Sequence, residues 1–269
     1  ADYFRRWHRD KRSSGGLMVH KATHHFDLIN WWINSRPQSV YGIGNLVYYG
    51  RANAEERGVE EFYDRGTGNQ KANDDPFALD LSEENLLKEL YLDAEHEDGY
   101  RRDQSVFGDG ISIEDDMGLV VRYENGAVMT YHLTAYSPWE GFRVALNGTE
   151  GRLEAEIQEK PYVSGANEDP NQPTIRNAKD FQIEEPARIL VRRLWRKPVE
   201  VPVEESGEGG HGGGDVRLLD DIFVGVDDDP LGHAADHHAG ASSILTGIAA
   251  NRSFEMRRPV EIRELFPYW

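Results

Sequence analysis

The chain has 269 residues, 48 acidic against 30 basic side chains, a net charge of −18 and no cysteine. Such a length supports a sizeable core, while the charge repels nucleic acids and anionic membranes. Without cysteine there is no disulfide framework, thiolate metal site or thiol nucleophile. No apolar run reaches the roughly 18 residues of a membrane-spanning helix, which argues against a membrane partner. The chain starts at Ala1 without a signal-peptide pattern and reads as starting mid-protein, so its localisation stays unassigned, with the cytoplasm as the expectation.

Residues 2–12 are a basic and aromatic lead-in, Asp2-Tyr-Phe-Arg-Arg-Trp-His-Arg-Asp-Lys-Arg12. Arg5, Arg6 and Trp7 are candidates for a cleft rim that touches substrate or a cofactor phosphate, the alternative being a solvated segment packed on its aromatics. Ser13-Ser14-Gly15-Gly16 then opens a helix-like run through Trp31-Trp32. At about 100° per residue His20, His24, Asp27 and Trp31 share one stripe, with Lys21, His25, Leu28 and Trp32 beside it. One helix would present two imidazoles and a carboxylate backed by water-excluding indoles, an arrangement suited to proton transfer near neutral pH. The alternative is core packing.

Arg36-Pro37 stops that helix, and 38–49 alternates as a strand. Residues 50–110 are the most polar stretch and read as an insertion or lid, with a helix over 82–97 capped by Ser82. From Ser112 the pattern is β. Asn125-Gly126 between apolar runs marks one hairpin, and 142–156 folds back at Gly148-Thr-Glu-Gly151 as a second. Tyr131, His132 and Trp139 fit cross-strand packing better than a sugar pocket.

Residues 161–186 are rich in proline and loop-like, and 187–195 is strand-like. A Gly-x-Gly-x-x-Gly occurs at Gly207, Gly209 and Gly212, but it sits in a glycine run that meets the spacing by chance. Acids follow where a pyrophosphate would lie, and no βαβ unit completes it. His211 next to that run is a candidate substrate contact or part of a surface hinge. His233, His237 and His238 permit a metal on spacing, without a dedicated ligand set. A helix over 238–252 repeats Gly240, Ser243, Gly247 and Ala250, small residues that admit close backbone approach. A last short strand is expected at 260–262.

The pattern Gly-Gly-x3-[acid]-x3-His-x2-Asp, met by Gly15-Gly16, His24 and Asp27, resembles the catalytic helix of the glucose–fructose oxidoreductase/inositol dehydrogenase/MocA family. The Asn147-Gly-Thr-Glu-Gly151 turn is similar to one in that family's second domain. His20 stands where the family has an aspartate, which puts the usual dyad in question.

The resemblance implies that 1–269 is the single C-terminal substrate and oligomerisation domain of an NAD(P)-dependent oxidoreductase. The cofactor, NAD or NADP, would be held mainly by an N-terminal Rossmann domain that this chain lacks. The substrate would be a sugar, polyol or cyclitol. His24, with His20, Lys21 and Asp27, would act catalytically, and His211, Trp7 and Arg5 would meet substrate; no metal ligand is assigned. The expected fold is α+β, a mainly antiparallel open-faced sheet with helices on one face, the other face serving a homo-oligomer. Two other classes remain open: a metal-dependent hydrolase or lyase using His20, His24 and Asp27, and a non-catalytic carbohydrate-binding scaffold.

Overall fold

Alternation, turns and caps divide the chain much as the sequence suggests. The computed structural model describes residues 1–160, 187–203, 210–225 and 228–268. The proline-rich 161–186 and the first glycines of the run near 207 lie outside these. Where one domain is expected, the described residues fall into two compact units, 1–136 with 235–268, and 137–160 with 187–203, 210–225 and 228–234.

The first unit begins with short helices α1 (Asp2–Arg5), α2 (Lys11–Ser14), α3 (Leu17–His20) and the longer α4 (Thr23–Trp32). Strand β1 (Pro37–Asn45) follows, then α5 (Arg51–Glu56), α6 (Asn85–Leu87) and α7 (Glu95–Asp98), and strands β2 (Asp116–Tyr123) and β3 (Val128–Thr134). The sheet order is β3-β2-β1-β8, all antiparallel, with β8 being Val260–Glu261. Gly126 takes a left-handed φ of 85° in the β2–β3 turn, as the Asn-Gly signal requires.

The second unit holds the antiparallel sheet β4 (Glu140–Gly148), β5 (Gly151–Lys160), β6 (Ala187–Arg193) and β7 (Val199–Val201), in that order, and α8 (Gly214–Phe223). The class is α+β with antiparallel strands, as expected; the strands are shared between two sheets of four rather than one.

Helix α9 (His237–Met256) covers one face of the first sheet, and the short α10 (Ile262–Leu265) follows β8. The core of that unit joins Leu17, Met18 and Phe26 from the N-terminal helices to Val40, Leu119 and Val121 from the sheet and Ala249 and Ala250 from α9. The opposite face carries Tyr41, Ile43, Val120 and Val128, all exposed. No helix among the described residues is long and apolar enough to cross a membrane.

Two elements depart from the sequence reading. The stretch 82–97 is not one helix: a 3-10 turn at Leu81–Glu83, α6, a π-turn at Lys88–Leu92 and α7 follow one another. Ser82 is not the cap; its backbone N–H donates to Asp80, while the Glu84 carboxylate accepts from Leu86 and Leu87. Leu86 and Leu90 are exposed, so no apolar stripe is buried to straighten the segment. Strand β1 ends at Asn45 because Val47, Tyr48 and Tyr49 all donate backbone N–H groups to the buried Asp115 carboxylate, at 2.8–2.9 Å.

Of the small-residue stripe on α9, Gly247 matters most. A Cβ there would lie 2.2 Å from the carbonyl oxygen of Met18. Gly247→Ala should therefore lower stability by about 1–3 kcal/mol through overpacking. Urea unfolding checks this, and an unchanged midpoint would show that α3 does not depend on the close approach.

Candidate active site

The Gly15-Gly16 pair does what its sequence signal asks. Both residues have φ near +72°, a conformation costly for any other residue, and they turn the chain sharply from α2 into α3. Asn251 of α9 donates to the Gly15 carbonyl at 2.6 Å, which fixes the turn against the core.

The single helix expected through 17–32 is broken. Helix α3 ends at His20, Lys21 adopts φ −124° and ψ −52°, and α4 restarts at Thr23. The break moves His20 off the stripe of His24, Asp27 and Trp31. The His20 ring lies instead against Tyr3 and His8, with centroids 4.9 and 4.8 Å away. Trp31 and Trp32 are partly exposed, at 37 and 38%, and do not form the dry backing expected of them.

His24 is exposed on the first turn of α4, and Lys21 is exposed two residues before that helix begins. Asp27, one turn beyond His24, is half-buried; burial raises its carboxyl above the usual range, and the nearby His24 opposes that rise. His25 turns inward, where its Nδ1 lies 2.9 Å from the Tyr131 hydroxyl. Burial, then Lys21 and His24, lower its basicity. His20 is lowered too, first by burial and then by the Arg6 and Lys21 charges, so it is neutral at pH 7.

The remaining candidates separate. Trp7 is 46% exposed and stacks on His8 with 3.8 Å between centroids, so its indole is open on the other side. Arg5 corrects the expectation of a rim contact. It is 1% exposed, donates to the Phe77 carbonyl at 2.8 Å and pairs with Asp2 at 3.5 Å. Its charge clips the 50–110 segment to the N-terminal helices instead of facing a cleft. His211 belongs to the second unit, exposed, with Nδ1 2.8 Å from Asp215. Tyr131 packs on Phe26 and His132 pairs with Asp116 at 2.7 Å, cross-strand and inter-element roles that fit the packing interpretation.

The metal arrangement of His20, His24 and Asp27 is not formed. Among the described residues, the group whose ligand atoms gather within 4.8 Å is Asp236, His237 and His238, all exposed. Asp236 caps α9 by accepting from Ala239. Of the glycine spacing, Gly207 and Gly209 lie outside the described residues. Strand β7 before it is paired antiparallel to β6, and Asp215 occupies the first turn of α8.

Sequence reasoning overlooked His8, whose ring lies between Trp7 and His20. His8 had one available signal, its place between Trp7 and Arg9 in a basic run.

Residues 1–262 match the model of the oxidoreductase family C-terminal alpha/beta domain. The chain belongs to this family. It is 35% identical to YteT of Bacillus subtilis (strain 168), named as an oxidoreductase, over 99% of this chain and 60% of that protein. It thus spans less than two thirds of that relative's length. Its fold is shared with an oxidoreductase domain protein from Kribbella flavida, at 13% identity and a TM-score of 0.52, covering 95% of this chain and 54% of that one. It is also shared with the aldose-aldose oxidoreductase of Caulobacter crescentus, crystallised with glycerol, at 12% identity and a TM-score of 0.51, covering 96% of this chain and 51% of that one.

His8 provides a test of the site's electrostatics. Burial, then Arg6 and His20, push its imidazole down to about 4, with Asp2 opposing. The unfolded chain protonates this ring near the ordinary value of about 6.5 and so binds more protons than the folded one between those pH values. The contribution to stability is complete above the unfolded value and is lost as pH falls through the folded one. In an NMR titration the His8 ring protons should move with a midpoint near 4, and Trp7→Ala, which opens the ring to water, should raise it. A midpoint of about 6–7 in the unmutated chain would contradict the burial.

Proposed function

We propose that this chain is the substrate-binding and catalytic half of an NAD(P)-dependent oxidoreductase that acts on a secondary alcohol of a sugar, polyol or cyclitol. The observation that carries the reading is the α3–α4 break, which presents His24 and Lys21 to solvent while Asp27 sits half-buried beneath them. The family supports the oxidoreductase class. The aldose substrate of the Caulobacter crescentus enzyme and the glycerol bound to it support a polyhydroxylated substrate.

The nicotinamide, when bound, supplies the hydride acceptor or donor. Residues of this chain fit its reactive end only: His24 and Lys21 are accessible, whereas the described residues near 210 offer no phosphate-binding turn. His24 takes the hydroxyl proton as the carbinol is oxidised and returns it in the reverse direction. Lys21 polarises the same oxygen. Asp27, whose carboxyl is raised by burial with His24 opposing, sits one turn along and orients that imidazole. Neutral His20 supplies a lone pair or an N–H where the family has a carboxylate. The metal-dependent reading has no comparable support, since its three residues do not converge.

In the enzyme carrying both halves, His24→Ala should lower kcat by about 10²–10⁴-fold with little change in cofactor affinity, and chelators should not affect the unmutated protein. Stopped-flow measurement of nicotinamide absorbance tests this. Undiminished hydride transfer would remove His24 from the mechanism.

The same reading includes self-association through the open face of the first sheet. Tyr41, Ile43, Val120 and Val128 are exposed there on three adjacent strands, with Tyr41 and Val120 directly paired. Sedimentation in moderate salt, which screens the −18 charge, should show a dimer or larger species that Val120→Asp dissociates. A monomer at tens of micromolar before mutation would overturn the assignment.

A further inference from the structure

The hairpin of β6 and β7 closes with a turn that goes against its local preferences. The Arg196 N–H donates to the Arg193 carbonyl at 3.3 Å, and Trp195, the third residue of that turn, has φ +61°. Glycine or asparagine suits that position, because a larger side chain strains a left-handed backbone. The Trp195 side chain is nevertheless 99% exposed, and Leu194 beside it is more than half exposed. Between 187 and 197 there are five cations and no acid. Arg188 and Arg192 pair with Glu200 and Glu154, at 3.1 and 2.8 Å. Arg193, Arg196 and Lys197 are exposed and have no ion pair among the described residues. A strained backbone thus holds an indole and three cations out in water.

The make-up of this tip selects its partner. Trp and Arg are the side chains that most often carry binding energy in protein interfaces. The cations call for an acidic surface, and the leucine and indole for an apolar centre within it. The 50–110 segment has such a surface. From 82 to 98 there are seven acids and one lysine, and that lysine, Lys88, pairs with Asp93 at 3.0 Å. Leu86 of α6 and Leu90 of the π-turn, four positions apart, are each more than half exposed. Glu83 and Glu89, within three positions of them, are exposed as well.

We propose that the tip at 194–197 docks on the acidic leucine ridge at 82–98 of a second copy of this chain, with Trp195 covering Leu86 and Leu90. The contact is separate from the open sheet face and independent of the oxidoreductase reading. Few side chains take part, so it is weak by itself, with a dissociation constant on the order of 100 µM. It strengthens where copies are already held together.

NMR of the Trp195 indole in the full chain tests this, with Val120→Asp in every sample to silence the sheet face. The labelled chain carries Leu86→Asn and Leu90→Asn, so it keeps the tip and lacks the ridge. Unlabelled Trp195→Gly chain keeps the ridge and lacks the tip; adding it should shift the labelled indole with a midpoint on the order of 100 µM. Adding unlabelled ridge variant instead should give no such shift, and salt at about 0.5 M should weaken the first response. Glycine suits the positive φ, so Trp195→Gly should keep the urea midpoint of its parent. Glu89→Lys replaces the two asparagines if that chain misfolds, and the Val120 background serves if Val120→Asp misfolds. No shift at about 500 µM, or equal shifts with and without the ridge, would overturn the proposal. A shift with phosphatidylglycerol vesicles but not with the chain would overturn it in favour of a membrane surface.

Discussion

The backbone of α3 lies against α9 at a distance that only glycine permits. With Gly247 beneath the Met18 carbonyl, the turn at Gly15-Gly16 and the Asn251 hydrogen bond to it fall into place. The first consequence is the position of His20 at the end of a one-turn helix whose other side, Leu17 and Met18, is buried. The second is the restart at Thr23. A helix of four residues has little stability of its own, so packing rather than propensity decides where it stops. The site geometry therefore depends on small residues in a helix more than 200 positions away.

A second constraint ties the polar 50–110 segment to the same region. Arg5 reaches the Phe77 carbonyl, and Arg9 reaches those of Ser105 and Asp109. Burial lowers the proton affinity of both guanidiniums, which for Arg9 falls to about 10. Buried cations satisfied by backbone carbonyls are costly to assemble and costly to break, which suits a clip that fixes one segment on another. The segment is held by such polar ties, including the Arg65 fork to Glu95 and Asp103. Apolar burial adds to them: Val106 joins the core, and Phe77 and Phe107 pack against it.

Local signals were legible and non-local ones were not. The hairpins at Asn125-Gly126 and Gly148–Gly151, the small-residue helix and the Gly-Gly turn all carry their geometry in adjacent residues. The helix through Trp31 was read as continuous because periodicity cannot register a break imposed by packing at Met18. The 82–97 segment looked helical from its leucines, yet Leu86 and Leu90 remain exposed and the helix fractures. Arg5 looked like a rim residue because a basic run in an acidic chain suggests a surface. Its partners, Phe77 and the loop around it, are 72 positions away and leave no trace near Arg5.

The imidazole at position 20 has a physical logic that the family's carboxylate would lack here. An aspartate in the same place would be buried beside Tyr3 and His8, and burial of an ionised carboxylate is unfavourable unless a cation pairs with it. Arg6 could serve, but it already pairs with Asp2. An imidazole avoids the conflict because its neutral form is the favoured one at pH 7, and Arg6 and Lys21 push it further that way. The neutral ring also leaves the Arg6–Asp2 pair undisturbed, whereas a carboxylate would compete for that guanidinium. With no charge at position 20, the exposed imidazole of the next helix, His24, is the one to which the proposed function assigns proton transfer.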